Sequence, residues 1–261
     1  MLRRLMRSSN PEAENPLKQK LVKARRRLNQ ANKRIERLEA QLWQTRAAGD
    51  DVASAFHIAY YGSAAAGGTH RDTYWMGVPA RKLPLDLWIY QEILNETRPD
   101  LIVETGTNYG GSALYMASMC DLLGTGRVLT VDIKAEGPSG TRPEHPRIRY
   151  LTGSSTDPEV VDEVKREAEG AERVMVVLDS DHSEAHVSAE LAVYASLVNF
   201  GGYLIIEDTN VNGHPVSPDY GPGPMEAVES FLARDSRFEI DQSREKFHLT
   251  FNPKGYLKRV R

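Results

Sequence analysis

The chain has 261 residues, 40% of them hydrophobic, with 36 acidic against 33 basic side chains, which is enough apolar material for one large domain plus an extension and too much for a disordered chain. No apolar run nears the ~20 residues that span a bilayer. The basic start, Met1 to Asn10, lacks the apolar stretch and cleavage site of a secretory signal, so a cytoplasmic protein is expected. The one cysteine, Cys120, cannot form an internal disulfide; it lies in an apolar helical stretch and reads as core.

Charge is unevenly spread. Residues 1–49 hold 13 Lys/Arg and 4 Asp/Glu, a net of +9, and the remainder holds 20 and 32, a net of −12. That shift sets a boundary near Ala47 to Asp50 and divides the chain into a helix (1–49), a cap and lead-in helix (50–99) and a catalytic body (100–261). Within the first part Leu17, Leu21, Ala24, Leu28, Ala31, Ile35, Leu38 and Leu42 alternate spacings of four and three. This is the heptad seam of a coiled coil, and the expectation is a homo-oligomer joined through it. The surrounding Lys and Arg also suit docking on nucleic acid or an anionic membrane, though no aromatic residues interleave them.

The second part contains a Gly- and aromatic-rich stretch from Tyr60 to Lys82. It serves either as a cover for a bound ligand or as a hydrophobic cap on the body. From Asp100 onward short β-branched runs alternate with amphipathic stretches. Strands are predicted at Leu101–Glu104, Val128–Ile133, Ile148–Thr152, Val174–Asp179 and Tyr203–Asp208, each apolar enough to be buried on both faces. Helices are predicted at Ser112–Leu123, Pro158–Glu169, Ser183–Val198 and Pro224–Arg234, and a closing antiparallel hairpin at Phe238–Gln242 and Phe247–Phe251. The plan is α/β, a Rossmann-like, mostly parallel sheet whose ligands sit at the carboxyl ends of the strands.

Those ends carry the chemistry. The first runs Glu104-Thr105-Gly106-Thr107-Asn108-Tyr109-Gly110-Gly111-Ser112. It departs from the dinucleotide fingerprint, and its acid at Glu104 disfavours a pyrophosphate while suiting the cationic methionine end of S-adenosylmethionine (SAM). The same residues also make a plain strand–helix turn. Asp132, at the end of the second strand, can accept from both ribose hydroxyls of an adenosine ligand. Ser154 and its neighbours can surround an adenine edge, with Thr156 or Asp157 equally suited to capping the next helix. The fourth and fifth strands end in Asp179-Ser180-Asp181-His182 and Glu207-Asp208. Carboxylates gathered there repel one another unless a cation lies between them, and a hard ion such as Mg²⁺ answers that. Asp179, Glu207 and Asp208 are the first choice of ligands, with Asp181 in reserve. His182 is placed to take a proton from a substrate hydroxyl, and His186 lies one turn further out. The loop Asn210–Pro224, with four Pro and three Gly, reads as a lid carrying His214 and Tyr220 as substrate contacts.

Between about Tyr60 and Tyr256 the chain resembles the cephalosporin hydroxylase/rhamnosyl O-methyltransferase group. The resemblance rests on Thr73-Tyr74-Trp75-Met76-Gly77-Val78-Pro79, Lys82-Leu83-Pro84-Leu85-Asp86-Leu87-Trp88-Ile89-Tyr90-Gln91-Glu92, the turn from Glu104 to Ser112, Leu178-Asp179-Ser180-Asp181-His182-Ser183, Glu207-Asp208-Thr209-Asn210 and Gly221-Pro222-Gly223-Pro224. It implies a class I methyltransferase fold, SAM as methyl donor, Mg²⁺, and a sugar-type hydroxyl on a small molecule or glycan as acceptor. It also implies Asp179, Glu207 and Asp208 at the metal and His182 as base. One departure is Ser180-Asp181, where related sugar enzymes often have Gly-Ser. Three alternatives stand beside this expectation: a metal-dependent hydroxylase, an NAD(P)-linked enzyme and a non-catalytic coiled-coil scaffold.

Overall fold

The computed structural model describes residues 20, 21, 23–34, 52–62 and 68–261. The chain forms two units, Met1–Val52 and Ala53–Arg261. In the first, residues 23–34 are helical, and Leu21 and Leu28 stand 69% and 61% exposed. The seam positions Leu17, Ile35, Leu38 and Leu42 lie outside the described residues. Among the described residues no helix is long and apolar enough to cross a membrane.

In chain order the second unit contains α1 (Val52–Gly62), the short antiparallel pair β1 (Tyr74–Trp75) and β2 (Val78–Pro79), and α2 (Pro84–Thr97). Next come β3 (Leu101–Thr105), α3 (Gly111–Leu123), β4 (Arg127–Asp132), β5 (Ile148–Thr152), α4 (Pro158–Ala168) and β6 (Val174–Leu178). The last elements are α5 (Glu184–Tyr194), β7 (Tyr203–Ile206), α6 (Pro224–Leu232), β8 (Phe238–Ile240) and β9 (Tyr256–Arg259).

Side chains two apart along a strand share a face, and that period assembles two cores. Leu101, Val103, Leu129, Val131, Val174, Val176, Leu178, Leu204 and Ile206 point one way, against Val161 and Val164 of α4, Leu191 of α5 and Val228 of α6. Ile102, Val128, Met175, Val177, Tyr203 and Ile205 point the other way, against Ile93 and Leu94 of α2 and Met116 and Cys120 of α3. The result is three layers with helices on both faces of the sheet. Cys120 is buried in the second core, and that burial pushes its thiol pKa up to about 11.

The seven strands lie in the order β5-β4-β3-β6-β7-β9-β8. Pairing is parallel from β5 through β7 and antiparallel where β9 joins β7 and β8. This is the mostly parallel, Rossmann-like sheet with an antiparallel end that the sequence predicts. Two details differ from the sequence-based expectation. β5 is an edge strand and only partly buried, because nothing pairs on its outer side. The hairpin's second strand is Tyr256–Arg259 and not Phe247–Phe251. The latter segment meets other partners: Phe251 N–H donates to the Asp86 carboxylate and the Phe251 carbonyl accepts from Asn210 N–H, so neither group pairs with β8.

Candidate active site

Strand order reverses between β3 and β6, so the connections at their carboxyl ends part and leave a crevice. A cavity of about 680 Å³ opens there, lined by Gly106, Asn108, Asp132, Ser154, Asp179 and His182 among others. Gly106 is required by two constraints. Its φ is +87°, and a Cβ would lie 1.8 Å from the carbonyl oxygen of Asp179. The turn after β3 therefore presses on the end of β6 and joins the two halves of the site.

In the half at the ends of β3, β4 and β5, Asp132 is held by three donors. Asn108 N–H (2.8 Å) reaches one carboxylate oxygen, Lys134 N–H (2.9 Å) the other, and Arg142 lies 3.0 Å away. Asn108 itself adopts a left-handed backbone, φ +50°, as its side-chain type allows. Glu104 is fully buried behind the lining and accepts from the Ser112 and Thr130 hydroxyls. Burial raises its pKa against the pull of those two bonds. Since the Thr130 proton goes to Glu104, Thr107, 2.7 Å from Thr130, supplies the proton of that pair. Glu104, Thr107 and Ser112 thus form a buried polar brace under the turn. Gly110, φ +84°, starts α3. Asp157 caps α4 by accepting from Glu159 N–H.

In the other half, among the described residues, Asp179, His182 and Asp208 bring one ligand atom each to within 4.8 Å of one another. His182 Nε2 is 3.1 Å from Asp208 Oδ2. Asp208 has φ +54°, and its N–H donates to Asn252 Oδ1 at 3.0 Å. Asp181 faces the start of α5 and accepts from Ser183 N–H; hydrogen bonding to Ser183, its hydroxyl first and its N–H second, holds the Asp181 carboxyl below the usual range. His186 also lines the cavity, outside the cluster, 3.1 Å from the Ser155 hydroxyl and 3.5 Å from buried Glu190.

Glu207 is placed differently. It is 2% exposed, and its Oε1 takes Lys82 Nζ at 2.8 Å and the Tyr90 hydroxyl. Lys82 also reaches Asp179 Oδ2 at 2.7 Å. Burial alone would lower the lysine pKa, but Asp179 and Glu207 outweigh it and raise it. One helical turn separates Asp86 from Tyr90, both on the buried stripe of α2. Asp86 accepts from Thr250, Phe251 N–H and Tyr256, and so ties the 250–252 segment that carries Asn252. Lys82, Asp86 and Tyr90 carried no role in the sequence. Asp86 and Tyr90, four apart and polar within the apolar face of α2, offered the one available signal, and Lys82 precedes that helix.

Burial, followed by the charge of Glu207, pushes the Asp86 carboxyl up to about 7. A carboxyl with a higher pKa folded than unfolded gives stability that is full below about pH 4 and lost as pH rises through about 7. Urea denaturation of the wild type and of Asp86→Asn should therefore differ in a pH-dependent way. The wild type should lose on the order of a few kcal/mol relative to the variant between those limits. A difference independent of pH would remove Asp86 from that role.

The far wall is aromatic. Tyr61 and His70 stack at 4.4 Å, and the Phe251 ring meets both edge-on at 5.5 and 6.0 Å. Tyr61, His70 and Phe251 line the cavity together with Arg71 and Arg81. Behind them His57 stacks on Phe251 and accepts from the Asn210 amide, with its pKa lowered to about 4 by burial. The loop residue His214 is 3.0 Å from Glu226, while Tyr220 is exposed.

Residues 68–260 match the family model described as rhamnosyl O-methyltransferase/CmcI. Rhamnosyl O-methyltransferase of Mycobacterium bovis is 41% identical over 216 residues, covering 80% of this chain and 86% of that protein. The Mycobacterium leprae protein of that name is 38% identical over 216 residues, covering 80% and 91%. Among solved structures, an apo form of CmcI is 22% identical with a TM-score of 0.56, covering 73% of this chain and 77% of that one. A Mg-SAM form of CmcI is 20% identical with a TM-score of 0.55, covering 73% and 78%. Those structures share the fold, and the sequence match goes further: the chain belongs to the rhamnosyl O-methyltransferase/CmcI family and is an O-methyltransferase.

Proposed function

We propose that the chain transfers the methyl group of SAM to a hydroxyl of a sugar-linked acceptor, with a divalent ion, Mg²⁺, at the acid cluster. One observation carries this reading: Asp179, His182 and Asp208 converge on the same cavity that Asp132, Asn108 and Ser154 line. The sugar acceptor is supported by the rhamnosyl group in the relatives' names. The flat faces of Tyr61, His70 and Phe251 also suit the apolar face of a sugar ring.

The residues fit both groups. Asp132 offers the acceptor oxygens that a ribose diol requires, and Gly106, Asn108 and Ser154 complete that half, with Glu104, Thr107, Gly110 and Ser112 shaping the turn. Asp179 and Asp208 provide oxygen donors within one small volume, which a hard ion prefers to nitrogen. Glu207 is the third ligand in this proposal, through the oxygen that Lys82 and Tyr90 leave free. A divalent ion bound there lowers the pKa of an acceptor hydroxyl. His182 would take that hydroxyl's proton at Nε2, and the Asp208 carboxylate, 3.1 Å away, would stabilise the imidazolium charge that results. Asp179 and Asp208 fix the geometry for in-line attack, and proximity supplies much of the rate. An iron hydroxylase requires two histidines and one carboxylate, whereas the described cluster holds one histidine.

Calorimetric titration with S-adenosylhomocysteine, with and without Mg²⁺, tests the reading. Micromolar or tighter binding is expected, followed by methylation of glycosides supplied with SAM. Absence of binding under both conditions would overturn it.

A further inference from the structure

Lys82 has no part in proton transfer or cofactor binding as described, yet it lies at the centre of the acid cluster. Its side chain is 4% exposed, and its ammonium stands 2.7 Å from Asp179 Oδ2 and 2.8 Å from Glu207 Oε1. An ammonium withdrawn from water is tolerated only where opposite charge and hydrogen bonds replace the lost solvation, and two carboxylates do so here. The Tyr90 hydroxyl closes the same Glu207 oxygen from the side of α2. These contacts fix one oxygen of each carboxylate and leave Asp208, next to His182, outside the lysine's grip.

The charges add a second argument. Asp179, Glu207 and Asp208 carry three negative charges when ionised. One buried ammonium reduces them to two, the charge that a single divalent ion neutralises. Resting on the divalent-ion reading above, we propose that Lys82 is a positioning residue that acts as a resident counter-cation. It holds Asp179 and Glu207 together and sets the affinity and charge preference of the metal site by occupying one oxygen of each carboxylate and leaving the other for the ion. Lys82 therefore lowers the affinity for the ion while keeping the carboxylates arranged without it.

A residue that merely supported the fold would weaken metal binding when removed. A counter-cation predicts the opposite. Calorimetry with Mg²⁺ on the full chain should show Lys82→Met binding the ion about tenfold or more tightly than the wild type, because one repulsive charge in a poorly screened site is gone. Its melting temperature without added metal should fall, and Mg²⁺ should restore more of it than in the wild type. Lys82→Arg, which keeps the charge, should stay within about threefold of the wild-type affinity. Lys82→Gln, which keeps a polar group toward both carboxylates without the charge, guards against loss of folding in Lys82→Met and should also bind Mg²⁺ more tightly than the wild type. Wild-type binding with no tightening in either variant overturns this proposal alone. A wild type that does not bind Mg²⁺ overturns the metal reading and this proposal with it.

Discussion

Asp208→Asn is expected to lower kcat by about a thousandfold or more while leaving the affinity for S-adenosylhomocysteine within about threefold. The substitution isolates charge. Asp208 has φ +54°, a backbone that asparagine adopts readily, and its N–H bond to Asn252 Oδ1 does not involve the side chain being changed. What disappears is one negative charge from the Asp179, His182 and Asp208 group, together with the anion beside His182 Nε2. Both proposed roles of Asp208 depend on that charge. The brace of Glu104, Ser112 and Thr130 and the contacts of Asp132 are untouched. Steady-state kinetics and calorimetry on the same preparation separate the two effects. Activity equal to that of the wild type would eliminate the metal role, whereas a parallel loss of product binding would point to a general collapse of the rim.

His182→Gln carries the second large effect, a fall in kcat of about 10² to 10⁴ with KM for the acceptor little changed. Glutamine keeps a polar group of similar reach and loses the ability to hold a proton. His182 follows three positions after Asp179 in the turn before α5, so its position comes from β6 and not from the substrate. Combining the two substitutions should cost little more than the worse of them, since a base and its charged neighbour act as a unit. Multiplicative losses would show that the two residues work independently. Retention of more than about a tenth of the wild-type kcat in His182→Gln would assign the proton to another group.

The parallel strands were readable from the chain because residues buried on both faces are mostly apolar, as in Val174–Leu178 and in Leu101, Ile102 and Val103. The acids at their ends stood out against those runs. Phe247–Phe251 misled for the same reason. It is apolar in pattern, but its Phe251 N–H is claimed by Asp86, some 165 positions away in the chain. No local rule announces a carboxylate that will replace a strand ladder. The aromatic wall was noticed as composition between Tyr60 and Lys82, but its partner Phe251 came from the other end of the sequence. Lys82 was hidden in another way: a lone lysine reads as surface, and only the fold shows that it lies within reach of two strand ends.

The two halves of the cavity are built from separate stretches of chain. Gly106, Asn108, Asp132 and Ser154 follow β3, β4 and β5, one strand after another, with short connections into the sheet. Tyr61, His70 and Phe251 come from segments before and after those strands and touch chiefly one another. Substitutions in the second group can therefore accumulate without disturbing the first. Such a molecule is open to retailoring: one aromatic corner can be redrawn while the residues that follow β3, β4 and β5 are inherited intact.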